Sequence, residues 1–189
     1  QVISSLLSLQ ADSHQNAAIV GPFRECENRI RSMALVHETL YQSENLGRVN
    51  FEAYARRLCN DPFDSFGVCR DAIKLSVNFT DAALSLETSI PCGLILNELV
   101  SNALKHAFPS GRKGEIVLEL KPRENAGFCF IIRDNGVGFP RTLDFQKTRT
   151  LGMQLVIRLT NQLGGTIDLR QQEGTEVVIN FPDASRNTN

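Results

Sequence analysis

Apolar and polar positions follow two different periods along the chain, and the changeover divides it. Residues 1–46 keep helical spacing. Val2, Ile3, Leu6, Leu7 and Leu9 mark a first helix, "HQNAAIVGP" breaks the pattern, and a second helix runs from about Phe23 to Tyr41. The pair predicts a helical hairpin too thin to bury its stripe alone, and so expected to associate with a second copy or an upstream segment. "SENLGRVN" serves as connector. Beyond it the pattern alternates: a short helix at 51–59, the strand "IKLSVNF", a helix within "LILNELVSNALKHAFP" (94–109), then "GEIVLEL" and "FCFIIRD" joined as a hairpin by "KPRENAG". After an irregular stretch, "LGMQLVIRLTNQLGG" reads as a helix closed by Gly164 and Gly165, and "TIDLR" with "TEVVINF" as a second hairpin across "QQEG". Strands and helices in this order predict an α+β fold, a mixed sheet with helices on one face. The polar tail "DASRNTN" is expected to fray.

Composition narrows the function classes. At 189 residues the chain holds one ordinary domain, or one plus a helical appendage. Lys+Arg 20 against Asp+Glu 21 gives no basic surplus to call for nucleic acid or an anionic membrane. The five cysteines are odd in number, scattered and never spaced as a metal-binding pair, which suits structural thiols in a reduced, cytoplasmic protein. No apolar run reaches the length of a membrane span, and no charged-then-apolar leader suggests export. Gln1 lies directly inside an apolar-periodic run without a cap, the pattern of a helix cut from a longer one.

Three stretches carry candidate chemistry. In residues 94–109, Glu98, Asn102 and Lys105 fall at i, i+4 and i+7 on one helix face, with His106 at its edge, while Leu96, Leu99, Val100, Ala103, Leu104 and Ala107 run roughly opposite. A solvated polar face would explain the stripe, except that asparagine mid-helix costs roughly half a kcal/mol against alanine. An Asn oxygen beside a Glu suits a hard cation such as Mg²⁺, which takes few protein oxygens and keeps waters and phosphates elsewhere. In "RDNGVGFP" (133–140) the Asp-Asn-Gly would normally be a hairpin turn, but no alternating strand returns after it. Gly136 and Gly138 then let a backbone approach a ligand, and Asp134 places a carboxylate there able to accept from an exocyclic amine such as that of adenine. The basic segment 139–150, with Arg141, Lys147 and Arg149, leads into a helix with Gly152 near its start, where free N–H groups and the dipole suit phosphates. Gly174-Thr175, opening the last strand, makes Thr175 a further ligand-contact candidate.

In order, Glu98-x-x-x-Asn102-x-x-Lys105-His106-Ala107, Asp134-Asn135-Gly136-Val137-Gly138, Leu151-Gly152-Met153 and Gly174-Thr175 resemble the ATP-binding boxes of the gyrase, Hsp90, histidine kinase and MutL (GHKL) superfamily. The likeness covers residues 50–183. "QVISSLLSLQ" and "RIRSMALVHETLYQ" resemble the dimerisation and phosphotransfer hairpin of a bacterial sensor histidine kinase subgroup related to the HWE kinases. The chain departs from that pattern in a second glycine box reduced to Gly152, and in having no Trp.

The resemblance implies a two-layer α/β sandwich of the Bergerat type (47–189) preceded by the hairpin (1–46), and ATP-dependent histidine phosphorylation in a two-component system. It implies that Asp134 recognises the adenine amine, that Gly136 and Gly138 make room for the base and that Asn102 binds Mg²⁺. Glu98 would act near the γ-phosphate, with Lys105, His106, Lys147, Arg149 and Gly152 around the phosphates. Such chemistry is mainly positioning and charge neutralisation. ATP and Mg²⁺ are the implied cofactors. The implied partners are a second copy through the hairpin, a response regulator receiver domain and an upstream sensory domain.

Of the three histidines, His14 reads as exposed, His37 lies on the stripe of Ile30, Met33, Leu40 and Tyr41 and reads as core, and His106 belongs to the nucleotide box. In the subgroup resembled, the phosphorylated histidine precedes the stretch matching "QVISSLL", so the acceptor is expected upstream of residue 1. Two alternatives are a serine-directed kinase of the anti-sigma type, against which the hairpin argues, and a nucleotide-sensing module without turnover, against which Glu98 and Asn102 argue.

Overall fold

The computed structural model describes residues 48–65, 68, 71–124, 127–139, 145 and 150–183, together with Phe23, Cys26, Ile30 and Ala34. Those four isolated positions are helical, within the second helix expected from the sequence. The pairing of the two N-terminal helices, with His14 and His37, lies outside the described residues.

The described elements are β1 (Val49–Asn50), α1 (Phe51–Leu58), α2 (Asn60–Ser65), β2 (Ile73–Phe79), β3 (Ala83–Leu84), α3 (Leu86–His106), β4 (Gly114–Arg123), β5 (Gly127–Asp134), α4 (Leu151–Gln162), β6 (Thr166–Gln172) and β7 (Gly174–Pro182). Five strands form one sheet in the order β2-β4-β5-β7-β6. The β2–β4 pair is parallel and the others antiparallel, so the sheet is mixed as expected. The parallel pair requires a crossover, and α3 supplies it. β1 and β3 pair separately, Val49 opposite Leu84.

Alternation decides which face of the sheet is covered. Ile73 and Val77 of β2, Ile116, Leu118 and Leu120 of β4, Phe128, Phe130 and Ile132 of β5, and Val177, Ile179 and Phe181 of β7 are buried. They pack with Ile95, Leu96, Leu99 and Val100 of α3 and Met153, Val156 and Leu159 of α4 in one core. At its centre Phe51 stacks on Phe79 with ring centroids 5.7 Å apart and meets Phe130 edge-on at 5.8 Å, fastening α1 to the sheet. Gly93 is there for a packing reason: a Cβ would stand 2.2 Å from the Tyr54 hydroxyl. The other face is charged. Lys74 meets Glu115 at 3.1 Å, Arg133 meets Glu176 at 3.6 Å, and Arg170 meets Asp168 at 2.9 Å. Such solvent-facing pairs each contribute about 0–1 kcal/mol.

Several boundaries differ from the sequence reading. The long helix begins eight residues earlier, at Leu86, where Ser85 Oγ accepts from Thr88 N at 3.2 Å as N-cap. It continues through Pro91, losing one backbone bond that burial of the surrounding turns offsets. It ends at His106, so Phe108 and Pro109 leave it for a short 3₁₀ turn. The second hairpin is tighter than "QQEG". Its strands run through to a Gln172–Gly174 pair, leaving only Glu173 between, which Gly174 permits with φ +104°. The short elements α2, β1 and β3 were not expected. Among the described residues no helix is long and apolar enough to cross a membrane, and Cys26, Cys59, Cys92 and Cys129 are not joined in disulfides. Complete burial pushes the Cys92 thiol well up, so it stays protonated as a packing residue.

Candidate functional site

A cleft of about 620 Å³ opens between α3, the ends of β5 and β7, and the start of α4. Helix α3 forms one wall. Its apolar set lies in the core as the spacing predicts, and Glu98, Asn102, Lys105 and His106 all line the cleft. Exposure decides against a merely solvated polar face, because Glu98 is only 8% exposed and its neighbour Asn97 only 4%. Asn102 is half-buried, while Lys105 and His106 are exposed at the rim.

Asp134 closes the opposite side. It shares the inward parity of Phe130 and Ile132, so a carboxylate ends an apolar file of residues. It stays in place because Oδ1 accepts two backbone N–H groups, from Gly136 at 2.9 Å and from Thr175 at 3.3 Å. Burial pushes its pKa above the ordinary carboxylate value, and the Gly136 and Thr175 hydrogen bonds and the nearby Arg112 only partly oppose this. Oδ2 receives neither of those backbone bonds, and the Thr175 hydroxyl is a further donor to the carboxylate. Thr175 lines the cleft beside it.

The glycines divide. Gly138, with φ +81°, lines the cleft. Gly136 does not line it. A Cβ there would sit 2.3 Å from the Ala107 carbonyl oxygen, so this glycine lets the loop close on the end of α3, where Val137 N donates to that same oxygen at 2.9 Å. Asn135 pins the loop from the other side, its Oδ1 accepting from Glu115 N at 2.7 Å and its carbonyl from Arg112 at 3.0 Å. Gly174 is equally constrained, since a Cβ would stand 2.0 Å from the Asp134 carbonyl oxygen. The loop geometry that holds Asp134 therefore needs two glycines, each for a steric reason.

The remaining wall is the start of α4, with Thr150, Leu151, Gly152 and Met153. The Thr150 side chain makes no cap bond to this helix, so it satisfies none of the first-turn N–H groups. Val137 and Leu151 are 57% and 59% exposed, the large apolar residues most open to solvent among those described, and both stand on the cleft. Arg141, Lys147 and Arg149 lie outside the described residues.

The structure places Glu98, Asn102, Lys105, His106, Asp134, Gly138, Gly152 and Thr175 around one cleft, together with Asn97 and Ser101, which the sequence reading did not name. The signal was available: Asn97, Ser101 and Lys105 repeat at four residues, a second polar file beside that of Glu98 and Asn102. No group of three or more His, Cys, Asp or Glu among the described residues could hold a metal. The Asn102 oxygen, with Glu98 one turn away, is a donor set that fits Mg²⁺ only if ligand phosphates and water supply most of its coordination.

Comparison with known proteins bears on what fills this cleft. Residues 88–185 match the model of the family described as histidine kinase-, DNA gyrase B-, and HSP90-like ATPase, and residues 1–66 match one described as histidine kinase. The chain is 29% identical over 190 residues to the sensor histidine kinase PdtaS of Mycobacterium tuberculosis, which covers 98% of this chain and 37% of that protein. It is 26% identical over 196 residues to the blue-light-activated histidine kinase 2 of Erythrobacter litoralis, covering 99% of this chain and 54% of that one. The chain thus spans between about a third and a half of these relatives. Among solved structures, the histidine kinase domain of an Erythrobacter litoralis blue-light activated kinase superposes with a TM-score of 0.77 at 24% identity, over 97% of this chain and 85% of the other, a likeness of fold. Neither the anti-sigma-type serine kinase nor the sensing module finds support in these matches.

Proposed function

Because the chain belongs to the histidine kinase-, DNA gyrase B-, and HSP90-like ATPase family, in the arrangement of a sensor histidine kinase catalytic core, we propose that its cleft binds Mg-ATP for phosphoryl transfer to a protein histidine. One observation carries the reading. A buried carboxylate with one oxygen committed to backbone N–H groups faces, across a single cleft, the Glu98–Asn102 file of α3 and the N-terminus of α4.

In this reading Asp134 Oδ2 accepts from the adenine amine, and Gly138 allows the backbone to lie close to the base. Asn102 holds Mg²⁺, which when bound neutralises phosphate charge. Glu98 orients the groups around the terminal phosphate. Lys105 and His106 at the rim, and the α4 N-terminus at Gly152, contribute positive potential along the phosphates. Lys147 and Arg149 are proposed to join them. The hairpin of residues 1–46 would pair two copies and present the phosphorylated histidine, which the resemblance puts N-terminal to Gln1, to the ATP-binding domain of residues 47–189. A response regulator receiver domain would take the phosphoryl group, in the cytoplasm, under control of a sensory domain upstream.

Calorimetry with a non-hydrolysable ATP analogue and Mg²⁺ tests the cleft directly. Saturable one-site heat that Asp134→Asn removes is expected, and no heat from folded wild-type protein sinks the reading. Incubating a version extended upstream by about ten residues, nearly three helical turns past the hairpin start, with labelled ATP tests the chemistry. Acid-labile, alkali-stable phosphate is expected, whereas acid-stable phosphoserine would point to the other kinase class.

A further inference from the structure

Asn97 is polar, 4% exposed and lines the cleft. Its amide is not sealed off without a partner, since among the described residues Ser89 Oγ is the side-chain atom in that state. A ligand entering the cleft therefore meets an amide donor placed in its wall. The resemblance assigns Asn97 no role.

Its place along α3 says which part of a ligand it would meet. The C-terminal end of α3 is fastened to the Asp134 loop, since Val137 N donates to Ala107 O and Gly136 packs against Ala107. Asn97 lies ten residues back from Ala107, about 15 Å along the helix at 1.5 Å per residue. It therefore stands at the far end of the cleft from Asp134, one residue beyond Glu98 and on the file that continues to Ser101. A nucleotide whose base sits at Asp134 brings its terminal phosphoryl group toward that end.

We propose that the Asn97 side-chain N–H donates to the terminal phosphoryl oxygens, so that Asn97 makes the cleft prefer a nucleoside triphosphate to a diphosphate. An uncharged donor is suited to this task. It rewards the presence of an oxygen there without holding the diphosphate product by charge. The inference rests on the Mg-ATP reading, and its test separates the two.

The experiment measures calorimetric affinities of the whole chain, with Mg²⁺, for a non-hydrolysable triphosphate analogue and for ADP, in wild type, Asn97→Ala and Asn97→Asp. In Asn97→Ala the triphosphate analogue is expected to weaken about tenfold, the loss of one hydrogen bond to a charged group, with ADP unchanged within twofold. Asn97→Asp keeps the shape but sets a negative charge against the phosphate, and should weaken the triphosphate further, again sparing ADP. Retained ADP binding is itself the readout that each variant is folded, and either variant alone suffices. A parallel loss of both nucleotides, or no change in their ratio, overturns the role of Asn97 while leaving the Mg-ATP reading intact. Absence of binding in wild type removes both.

Discussion

Replacing Asp134 by Asn changes one atom at the point on which the proposed reading of nucleotide recognition rests. Oδ1 already accepts from Gly136 N at 2.9 Å and Thr175 N at 3.3 Å, and an asparagine keeps those two bonds only by leaving its oxygen in the same place. The NH₂ group then occupies the Oδ2 position and presents a donor to the adenine amine, itself a donor. The variant forfeits a hydrogen bond to a charged acceptor, worth about 1.5–3 kcal/mol, and leaves a donor facing a donor at a further cost of about 1–3 kcal/mol. A total near 3 kcal/mol corresponds to roughly a hundredfold in affinity. The unliganded protein should lose nothing, because burial disfavours the charged carboxylate. Calorimetry with an adenine triphosphate analogue, beside thermal melts without ligand, gives both numbers. A guanine analogue sharpens the comparison, since its base carries an acceptor oxygen where adenine has the amine, so the variant should bind guanine relatively better than wild type does. If Asp134→Asn binds the adenine analogue within threefold of wild type with an unchanged melt, the base is not read by this carboxylate.

Asn102→Ala should abolish the Mg²⁺ dependence of nucleotide binding, so that affinities with magnesium and with EDTA converge. Gly174→Ala puts a Cβ at φ +104° and 2.0 Å from the Asp134 carbonyl, which should cost about 3 kcal/mol through overpacking and left-handed strain and lower the melting temperature by on the order of 10 °C. Ser85→Ala removes the N-cap of α3 and should destabilise the fold by about 1 kcal/mol in denaturant titrations, without changing relative nucleotide affinities. The pH dependence follows from Asp134. Its folded pKa lies above the ordinary 3.8 because of burial, so its contribution to stability is greatest below that ordinary value and is lost as pH rises through the raised one. Adenine binding needs the ionised form and should weaken as pH falls through the same raised value, whereas Asp134→Asn should flatten both profiles.

The sequence carried the site's composition better than its geometry, and particular residues show why. Asn102 and Asp134 stood out in the sequence because each goes against a local preference: an asparagine mid-helix, and a carboxylate ending an apolar strand. The core was legible for the complementary reason, since periods of 2.0 and 3.6 place Ile116, Leu118 and Leu120, or Leu96, Leu99 and Val100, without reference to anything distant. What failed was everything fixed by a neighbour far along the chain. Gly136 reads as room for a ligand, and only its approach to Ala107 reveals that its missing side chain closes the loop on α3. The start of α3 was hidden by Pro91 and Gly93, two breakers that helix packing overrides, the latter demanded by Tyr54 from another helix.

Asn97 shows the same division within one residue. Its neighbours Leu96 and Glu98 drew it into neither the apolar nor the polar file, because a helical projection gives direction and not depth. Depth comes from β5, β7 and the start of α4 closing around α3. Burial leaves this amide facing the cleft, and the fixed rise of the helix turns its position in the chain into a distance from the carboxylate proposed to bind the base. On the proposed reading, a buried carboxylate and a buried amide spaced along one cleft would measure a ligand's length, so that the fold would discriminate by reach as well as by chemistry.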